Sequence, residues 1–247
     1  MIPGVATPAV VDRLRGAAAG TLPVLSRSEH AVYLDVDGSA VGVLSAHAVR
    51  VPCGIGTLLE SVRSLTEPAH LSDGRLRFGE VEVRIGRLCS QQAPALLPHA
   101  LRGDAWSALT EVGPDVRGFV AAFVPGTITA RVALDLLGRG PGLTPLGDDI
   151  LAGWLAVHSA SGRPDGVVAD VVRTHRERTT TLSATLLDHA VAGDVVPEFA
   201  DFLRDVGSPR AADSAERLTR VGATSGAGLL VGAALAQRRL TAERNVA

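Results

Sequence analysis

Lysine is missing from this chain: all 24 basic residues among its 247 are arginines, against 26 aspartates and glutamates. The absence excludes chemistry that needs a lysine amine, such as a Schiff base or a P-loop phosphate site. Any contact with an anion must therefore come from arginine, histidine or backbone N–H groups. The formal net charge of -2 also argues against a nucleic-acid partner, because such proteins usually carry a basic excess.

Aromatic residues, cysteines and long apolar runs are also scarce. Aromatic side chains make up 3% of the chain, so leucine, valine and alanine must fill the core. Cys53 and Cys89 show no zinc-site spacing, and we interpret them as two buried thiols, with a disulfide as the alternative. The longest apolar stretch, 226–236, is shorter than the ~20 residues that span a bilayer. Because a signal-peptide pattern is also lacking, we expect a cytoplasmic protein with no membrane partner.

The first third of the chain alternates apolar and polar residues, as half-buried antiparallel strands do. Two dipeptides in it, Asp37-Gly38 and Gly79-Glu80, favour tight hairpin turns between such strands. A short helix is expected ahead of them, near residues 8–18. The pattern predicts a β-rich antiparallel N-terminal domain over residues 1–105.

Beyond Trp106 the apolar residues recur at helical steps of three and four. The longest such pattern, 168–190, predicts one long helix with His175 on its apolar face as a core histidine. Further helices are predicted near residues 128–137, 150–159, 197–206, 211–221 and 229–238. The second domain is therefore expected to be all-helical over residues 106–247, which makes the fold class α+β.

Glycine and proline are densest at residues 138–149, GRGPGLTPLGDD. They prevent a regular helix or strand there, so we predict a shaped loop leading into a helix that Asp148 or Asp149 caps. Exposed loop N–H groups and a helix start favour an anion, and the guanidinium of Arg139 matches a carboxylate or phosphate. The alternative is a capped turn that lets two helices pack closely.

Two further segments of the helical part combine small residues with hydroxyls. Arg178 precedes three threonines, a run that is costly inside a helix, and hydroxyls beside an arginine suit an oxyanion. The turn GATSGAG at residues 222–228 offers Thr224 or Ser225 as a cap for the last helix. The alternative for both segments is structural, through helix packing and hydrogen bonds back to carbonyls. If the three segments serve one site, they should lie around a common cleft with at least two helix N-termini.

Together the three segments resemble the AllH-like family, a bacterial family that includes a subunit of the anaerobic oxamate carbamoyltransferase. The resemblance covers residues 110–240, and its most specific part is Gly-Pro-Gly-Leu-Thr-Pro, one residue, then Gly-Asp-Asp. Two positions depart from the family pattern: Leu146 stands where the family usually has serine, and Gly228 where it often has an acidic residue. The segments are GRGPGLTPLGDDILAG, RTTTLSATLLDHAVAGDVVPEF and VGATSGAGLLVGAAL.

The resemblance implies a cytoplasmic subunit of a multi-protein carbamoyltransferase that acts in purine degradation and allantoin catabolism. In the oxamate enzyme a carbamoyl group passes between oxalurate and phosphate, giving oxamate and carbamoyl phosphate. The implied partners are the other subunits and a small anionic substrate or phosphate; no cofactor is expected. The alternatives are a non-catalytic scaffold or anion-binding regulatory subunit and, more weakly, a metal-dependent hydrolase using Asp148 and Asp149.

The candidate site residues follow from the three segments and the resemblance together. We expect no metal site among them. The candidate catalytic residues are Asp148, Asp149 and Arg178. The candidate ligand-binding residues are Arg139, Gly140, Gly142, Thr144, Gly147, Thr179, Thr180, Thr224, Ser225 and Gly226.

Overall fold

A nine-stranded sheet forms the first part of the described chain and helices form the second, which confirms the predicted α+β fold. The structure is a computed structural model that describes residues 1–97, 100, 112–124 and 126–244. The chain divides into two compact units, Met1–Gln91 and Gln92–Ala247. The domain boundary predicted between residues 105 and 106 lies outside the described residues.

The sheet lies in the first unit and is mostly antiparallel. Its strands are β1 (Ile2–Ala6), β2 (Gly20–Leu22), β3 (Val24–Arg27), β4 (Ala31–Val36), β5 (Ser39–Leu44), β6 (Gly54–Thr57), β7 (Ala69–Ser72), β8 (Arg75–Phe78) and β9 (Val81–Leu88). Their order across the sheet is β2-β7-β8-β9-β1-β6-β5-β4-β3. Two neighbouring pairs, β1 with β9 and β5 with β6, are parallel.

Both predicted hairpins are present. The turn between β4 and β5 places Asp37 at φ 50° and Gly38 at φ 75°, the left-handed conformation that a tight hairpin needs. Gly79, at φ 56°, turns β8 into β9. A third hairpin, at Asp73 and Gly74 between β7 and β8, was not predicted, although its residues and positive φ angles follow the same rule.

The core of the first unit lies between one face of the sheet and the helix α1 (Pro8–Gly16). Thr7 caps this helix by accepting a hydrogen bond from the N–H of Val10 at 3.4 Å. Both cysteines are free thiols, not a disulfide. Cys53 is buried as predicted, and burial raises its pKa to about 12; Cys89 is only partly buried, which corrects its predicted burial.

The second unit is helical throughout its regular elements. Its described helices are α2 (Pro114–Phe123), α3 (Ala130–Leu136), α4 (Leu146–Ala160), α5 (Gly166–Thr174), α6 (Thr181–Ala192), α7 (Pro197–Asp205), α8 (Ala211–Thr219) and α9 (Ser225–Arg244). Five of them overlap the shorter helices that the periodicity predicts, whereas α2 was not predicted. None of the described helices combines the length and the hydropathy that a membrane crossing requires.

The predicted long helix over 168–190 is wrong, because the chain breaks it into α5 and α6. His175 leaves the helical conformation at φ -117° and ψ 28°, and its side chain is 41% exposed instead of buried. A short 3-10 turn, Arg176–Arg178, follows. Thr179 and Thr180 are then extended, and Thr180 caps α6 by accepting from the N–H of Ser183 at 3.0 Å. The threonine run that disfavours a helix interior is therefore where the helix is interrupted.

The centre of the second unit is the packing of α4 against α9. Gly153 and Gly232 bring the two backbones together: a Cβ on Gly232 would lie 2.0 Å from the carbonyl oxygen of Ile150, and one on Gly153 would lie 2.1 Å from that of Leu229. Trp154, which follows Gly153 on α4, is 1% exposed. Glycine at these two positions thus permits the close approach of α4 and α9.

Candidate functional site

The structure brings the three predicted segments together in the second unit. The Thr179 hydroxyl donates to the Asp148 carboxylate, and the Thr180 hydroxyl donates to the carbonyl of Leu143 at 2.5 Å. Thr144 lies 3.0 Å from Ser225, hydroxyl to hydroxyl. The first turns of α4, α6 and α9 are consequently neighbours, but the open surface described below is lined by residues of the first two segments and not by the turn at 222–228.

Asp148 is the link between these segments. Its Oδ1 accepts from the N–H of Gly138 at 2.7 Å, and its Oδ2 accepts from the hydroxyls of Thr179 and Ser183, the latter at 2.6 Å. The residue is 2% exposed. Burial raises its pKa, and the three hydrogen bonds oppose that rise because they stabilise the ionised form. Both oxygens of Asp148 therefore bind the protein itself.

Asp149 is buried with one oxygen unsatisfied. It is 7% exposed, and its Oδ2 has no hydrogen-bond partner in the described structure. Burial raises its pKa to about 8; a hydrogen bond with Ser225 opposes the rise, and the charge of Asp148 adds to it. The carboxyl of Asp149 is thus mostly protonated at neutral pH, when it is a hydrogen-bond donor.

The start of α4 differs from the prediction. Its N-cap is Pro145, without a side-chain cap, so neither Asp148 nor Asp149 caps the helix. The Asp148 carboxylate instead accepts hydrogen bonds from Gly138, Thr179 and Ser183, which lie outside its own helix. The N–H groups of Gly147, Asp148 and Asp149 donate to the carbonyls of Arg139 and Pro145. Three of the first four N–H groups of α4 are therefore already paired.

An open concave surface of about 410 Å³ lies at the start of the loop. It is lined by Leu137, Gly138, Arg139, Gly140 and Arg178. Both arginine side chains belong to exposed residues. Since lysine is absent from the chain, a pair of arginines lining one concave surface is a suitable arrangement for binding an anion.

Local contacts position both arginines. Arg139 donates from Nε to the carbonyl of Asp135 at 2.8 Å, and its guanidinium carbon lies 4.6 Å from the centre of the Phe123 ring. Arg178 precedes Thr179, whose hydroxyl is held by Asp148. The backbone of Arg178 also packs on Gly138, where a Cβ would lie 2.0 Å from the Arg178 carbonyl oxygen. Gly138 has φ 74°, so both space and conformation favour glycine there.

Several predicted ligand-binding residues have structural contacts instead of open surroundings. A Cβ on Gly147 would lie 2.1 Å from the carbonyl oxygen of Leu136, and one on Gly226 would lie 1.8 Å from that of Leu218. Thr224 accepts the N–H of Gly228 through its carbonyl at 2.9 Å. Gly140 lines the concave surface, but a Cβ on it would lie 2.8 Å from the Leu146 nitrogen. By contrast, Gly142 has open space around it, at φ 93°.

The two departures from the family pattern meet in space. A Cβ on Gly228 would lie 2.6 Å from the Cβ of Asp149 and 3.0 Å from Cδ1 of Leu146. Leu146 is buried. A side chain at 228 would therefore require Asp149 or Leu146 to shift, so in this chain the pair Leu146 and Gly228 closes the space next to Asp149.

Sequence reasoning missed three residues that shape the site. Gly138 was part of the predicted loop, but its role as the donor to Asp148 was not foreseen. Ser183 and Phe123 were absent from the candidates. The position of Ser183, three residues after a capping threonine, points to a helix start but not to the distant carboxylate that its hydroxyl reaches. Phe123 lies in α2, a helix whose periodicity was not recognised.

Within the described residues, no three histidine, cysteine, aspartate or glutamate side chains are grouped so that they would hold a metal ion. The site is therefore best described as a buried carboxylate pair beneath three helix starts, next to an open surface with two arginines. By its geometry it belongs to the class of candidate small-anion sites on a helical unit.

Comparison with known families extends this description. Residues 136–237 match the model of the family described as oxamate carbamoyltransferase subunit AllH. The match confirms the AllH-like resemblance over this segment, which contains all the candidate site residues. It includes the loop, the threonine run and the start of α9, but none of the first unit. No solved structure matches the chain.

Proposed function

We propose that the chain is a subunit of a carbamoyltransferase and that Arg139 and Arg178 bind the anionic part of its substrates. The observation that supports this most directly is the concave surface that both arginines line. The name of the matched family supplies the reaction class. The substrates we propose are a small ureido acid of the oxalurate type and phosphate, both of which are anions.

The reaction needs little covalent chemistry from the protein. A phosphate oxygen attacks the carbamoyl carbon, the bond from that carbon to the amide nitrogen of the leaving oxamate breaks, and that nitrogen takes the proton given up by phosphate. Negative charge develops on the carbamoyl oxygen in between. Fixed donors aimed at that charge lower the barrier, and arginine side chains on the concave surface are suited to this role.

The two aspartates have different roles in this proposal. Asp148 is a positioning residue, because its oxygens already hold Gly138, Thr179 and Ser183. Through Gly138 and Thr179 it orients the loop and the residue after Arg178. Asp149 is buried and mostly protonated at neutral pH. We propose that it keeps the start of α4 neutral beside Ser225, so that the site carries less negative charge against an anion.

The remaining loop residues complete the proposed site. Gly140 lines the surface, and its missing side chain leaves room for the start of α4, since a Cβ there would lie 2.8 Å from the Leu146 nitrogen. Thr144, Thr180 and Ser225 hold the loop to α6 and α9 through their hydroxyls. These contacts keep the arginine-bearing loop in one conformation, which reduces the entropy lost when a ligand binds.

Calorimetric titration of the full chain with inorganic phosphate and with oxamate tests the anion site. Changing Arg178 or Arg139 to alanine should weaken binding by ~1.5–3 kcal/mol, the usual contribution of a hydrogen bond to a charged group. Arg173→Ala is the matched control, since Arg173 is an exposed arginine of α5 that pairs with Asp170 and does not line the surface. Equal affinities in all three variants would contradict the proposal.

A regulatory or scaffold subunit is the second candidate. It is favoured by the occupied donors at the start of α4 and by the packing roles of Gly147 and Gly226. In the assembled transferase, Arg178→Ala would then change activation or assembly but leave the KM for phosphate unchanged. A raised KM for phosphate favours the catalytic subunit.

A further inference from the structure

Arginines are concentrated on one face of the sheet in the first unit. On β8, Arg75 and Arg77 are exposed, while Leu76 between them is buried in the core. On β9, Arg84 and Arg87 are also exposed. Because side chains alternate between the two faces of a strand, Arg75 and Arg77 point away from the core.

The strand register puts the arginines of β9 on that same outer face. Leu76 pairs with Val83, both buried, so Arg84 follows Val83 onto the outer side next to Arg75. Arg84 pairs with Pro3 of β1, and Arg87, after a bulge, pairs with Val5. Pro3 and Val5 alternate with the core residue Ala6. The four arginines therefore share one face.

A fifth arginine continues the row across β1 to β6. Val5 pairs with Gly56, so a side chain at 56 would also point outward. The position of that missing Cβ lies 1.6 Å from Nη1 of Arg50, which means that the Arg50 guanidinium covers Gly56. We call Arg50, Arg75, Arg77, Arg84 and Arg87 the arginine face.

None of the five arginines has an ion pair among the described residues, a property that they share with other arginines such as Arg13, Arg139 and Arg178. Among the described residues no carboxylate lies within salt-bridge distance of any of the five, whereas eleven other arginines have one. Glu82 pairs with Arg77 in the register without forming a salt bridge. Like charges on neighbouring strands destabilise a sheet, so repulsion among these arginines opposes the folding of the chain alone.

We infer that the arginine face docks an acidic surface of another protein subunit. The inference rests on the proposed function, which supplies partner subunits, and on charge complementarity. Arginine is suited to such a surface because its planar guanidinium group can donate two parallel hydrogen bonds to one carboxylate. A patch of one charge also steers a partner of the opposite charge into place.

A protein partner fits this face better than a nucleic acid does. The chain carries a formal net charge of -2, whereas nucleic-acid binders usually have a basic excess. The strands β8 and β9 offer the outer face no aromatic side chain for stacking on bases, since Phe78 is buried in the core.

Charge reversal on the face tests the inference. The full chain would be mixed with the purified remaining subunits of its own transferase, and the dissociation constant measured at low and at physiological salt. Arg75→Glu with Arg84→Glu should raise that constant about tenfold or more at low salt and flatten its salt dependence. Arg13→Glu with Arg63→Glu is the control, because both are exposed residues of the same unit outside the face.

The outcomes separate this inference from the proposed function. Phosphate binding should be the same in both double variants, since Arg139 and Arg178 lie in the second unit. Loss of assembly with phosphate binding retained supports the arginine face. Equal assembly of the two double variants, or no assembly of the unchanged chain, overturns it.

Binding to a duplex DNA that is lost in the Arg75 and Arg84 variant would also overturn it, in favour of a nucleic acid. Absent phosphate binding in every protein would instead count against the proposed function.

Discussion

Asp148 and Asp149 are sequence neighbours in opposite environments. Three hydrogen bonds reach Asp148, two on one oxygen and one on the other. Asp149 keeps an oxygen without a partner, and burial raises its pKa to about 8. Adjacent helix residues point about 100° apart, so one faces the loop and α6 while the other faces α9.

Replacing Asp149 by asparagine should change how stability depends on pH. The folded pKa of about 8 lies above the ordinary value of 3.8, so between these values the folded chain holds a proton that the unfolded chain has lost. The free energy of unfolding therefore falls as pH rises through this interval, by up to about 1.4 kcal/mol per pH unit. Asp149→Asn removes this contribution, because asparagine stays neutral in the same shape.

Denaturant unfolding of both proteins at several values between pH 5 and pH 8 measures the effect. The variant should gain stability relative to the unchanged chain as pH rises. Other titrating groups are common to both proteins and cancel in the difference. A difference that stays constant across this range would show that Asp149 is already ionised when folded.

Replacing Asp148 by asparagine should lower the stability of the folded chain, whereas Asp149→Asn should raise it as the pH rises. An amide has only one acceptor oxygen, so the Gly138 N–H or the hydroxyls of Thr179 and Ser183 lose their charged acceptor. We expect a loss of ~1–3 kcal/mol, the cost of leaving such buried groups unpaired. Ser183→Ala, which removes one of the three bonds, should cost less. Thermal unfolding measures both, and equal losses would mean that the carboxylate does not act as the shared acceptor.

At the scale of the helices, α4 and α9 are held together by close backbone contact. Gly232→Ala should destabilise the chain by more than ~2 kcal/mol, because the new Cβ would lie 2.0 Å from the Ile150 carbonyl oxygen and force the helices apart. Alanine's better helix propensity, about 1 kcal/mol, offsets only part of this. Gly118→Ala in α2 is the control: a Cβ there meets nothing within 4 Å, so its stability should rise slightly. A stable Gly232→Ala protein would contradict the packing role.

The elements show which patterns a sequence can resolve. Hairpins with Asp-Gly turns were predictable because a positive φ selects those residues. The break between α5 and α6 was not, because the apolar spacing continues through it. The helix ends at Thr174, and beyond the break Thr179 contacts Asp148, 31 positions away in the sequence. The α4 start was misplaced for a similar reason, since Asp148 binds distant partners and does not cap its own helix.

The same limit applies to the candidate site. Small residues and hydroxyls marked the three segments that converge, but they did not separate packing glycines from ligand-facing ones. Gly147 and Gly226 pack on carbonyls, whereas Gly142 has open space around it. That distinction depends on which backbone lies opposite each residue, and local sequence does not record it.

For the whole molecule, we expect the purified chain alone to form no carbamoyl phosphate from oxalurate and phosphate. Arg139 and Arg178 belong to exposed residues on an open surface, where water weakens their attraction for developing charge. Fixed charges lower a reaction barrier effectively only where water is excluded. Because the surface is open in this chain, a partner subunit would have to cover it before catalysis. An assay of carbamoyl phosphate formation compares the chain alone with the chain assembled with its partner subunits. The chain alone should still bind phosphate in calorimetry, with binding weakened by Arg178→Ala. Turnover by the single chain at the rate of the assembled enzyme would show that the open surface suffices, and the requirement for partners would then be wrong.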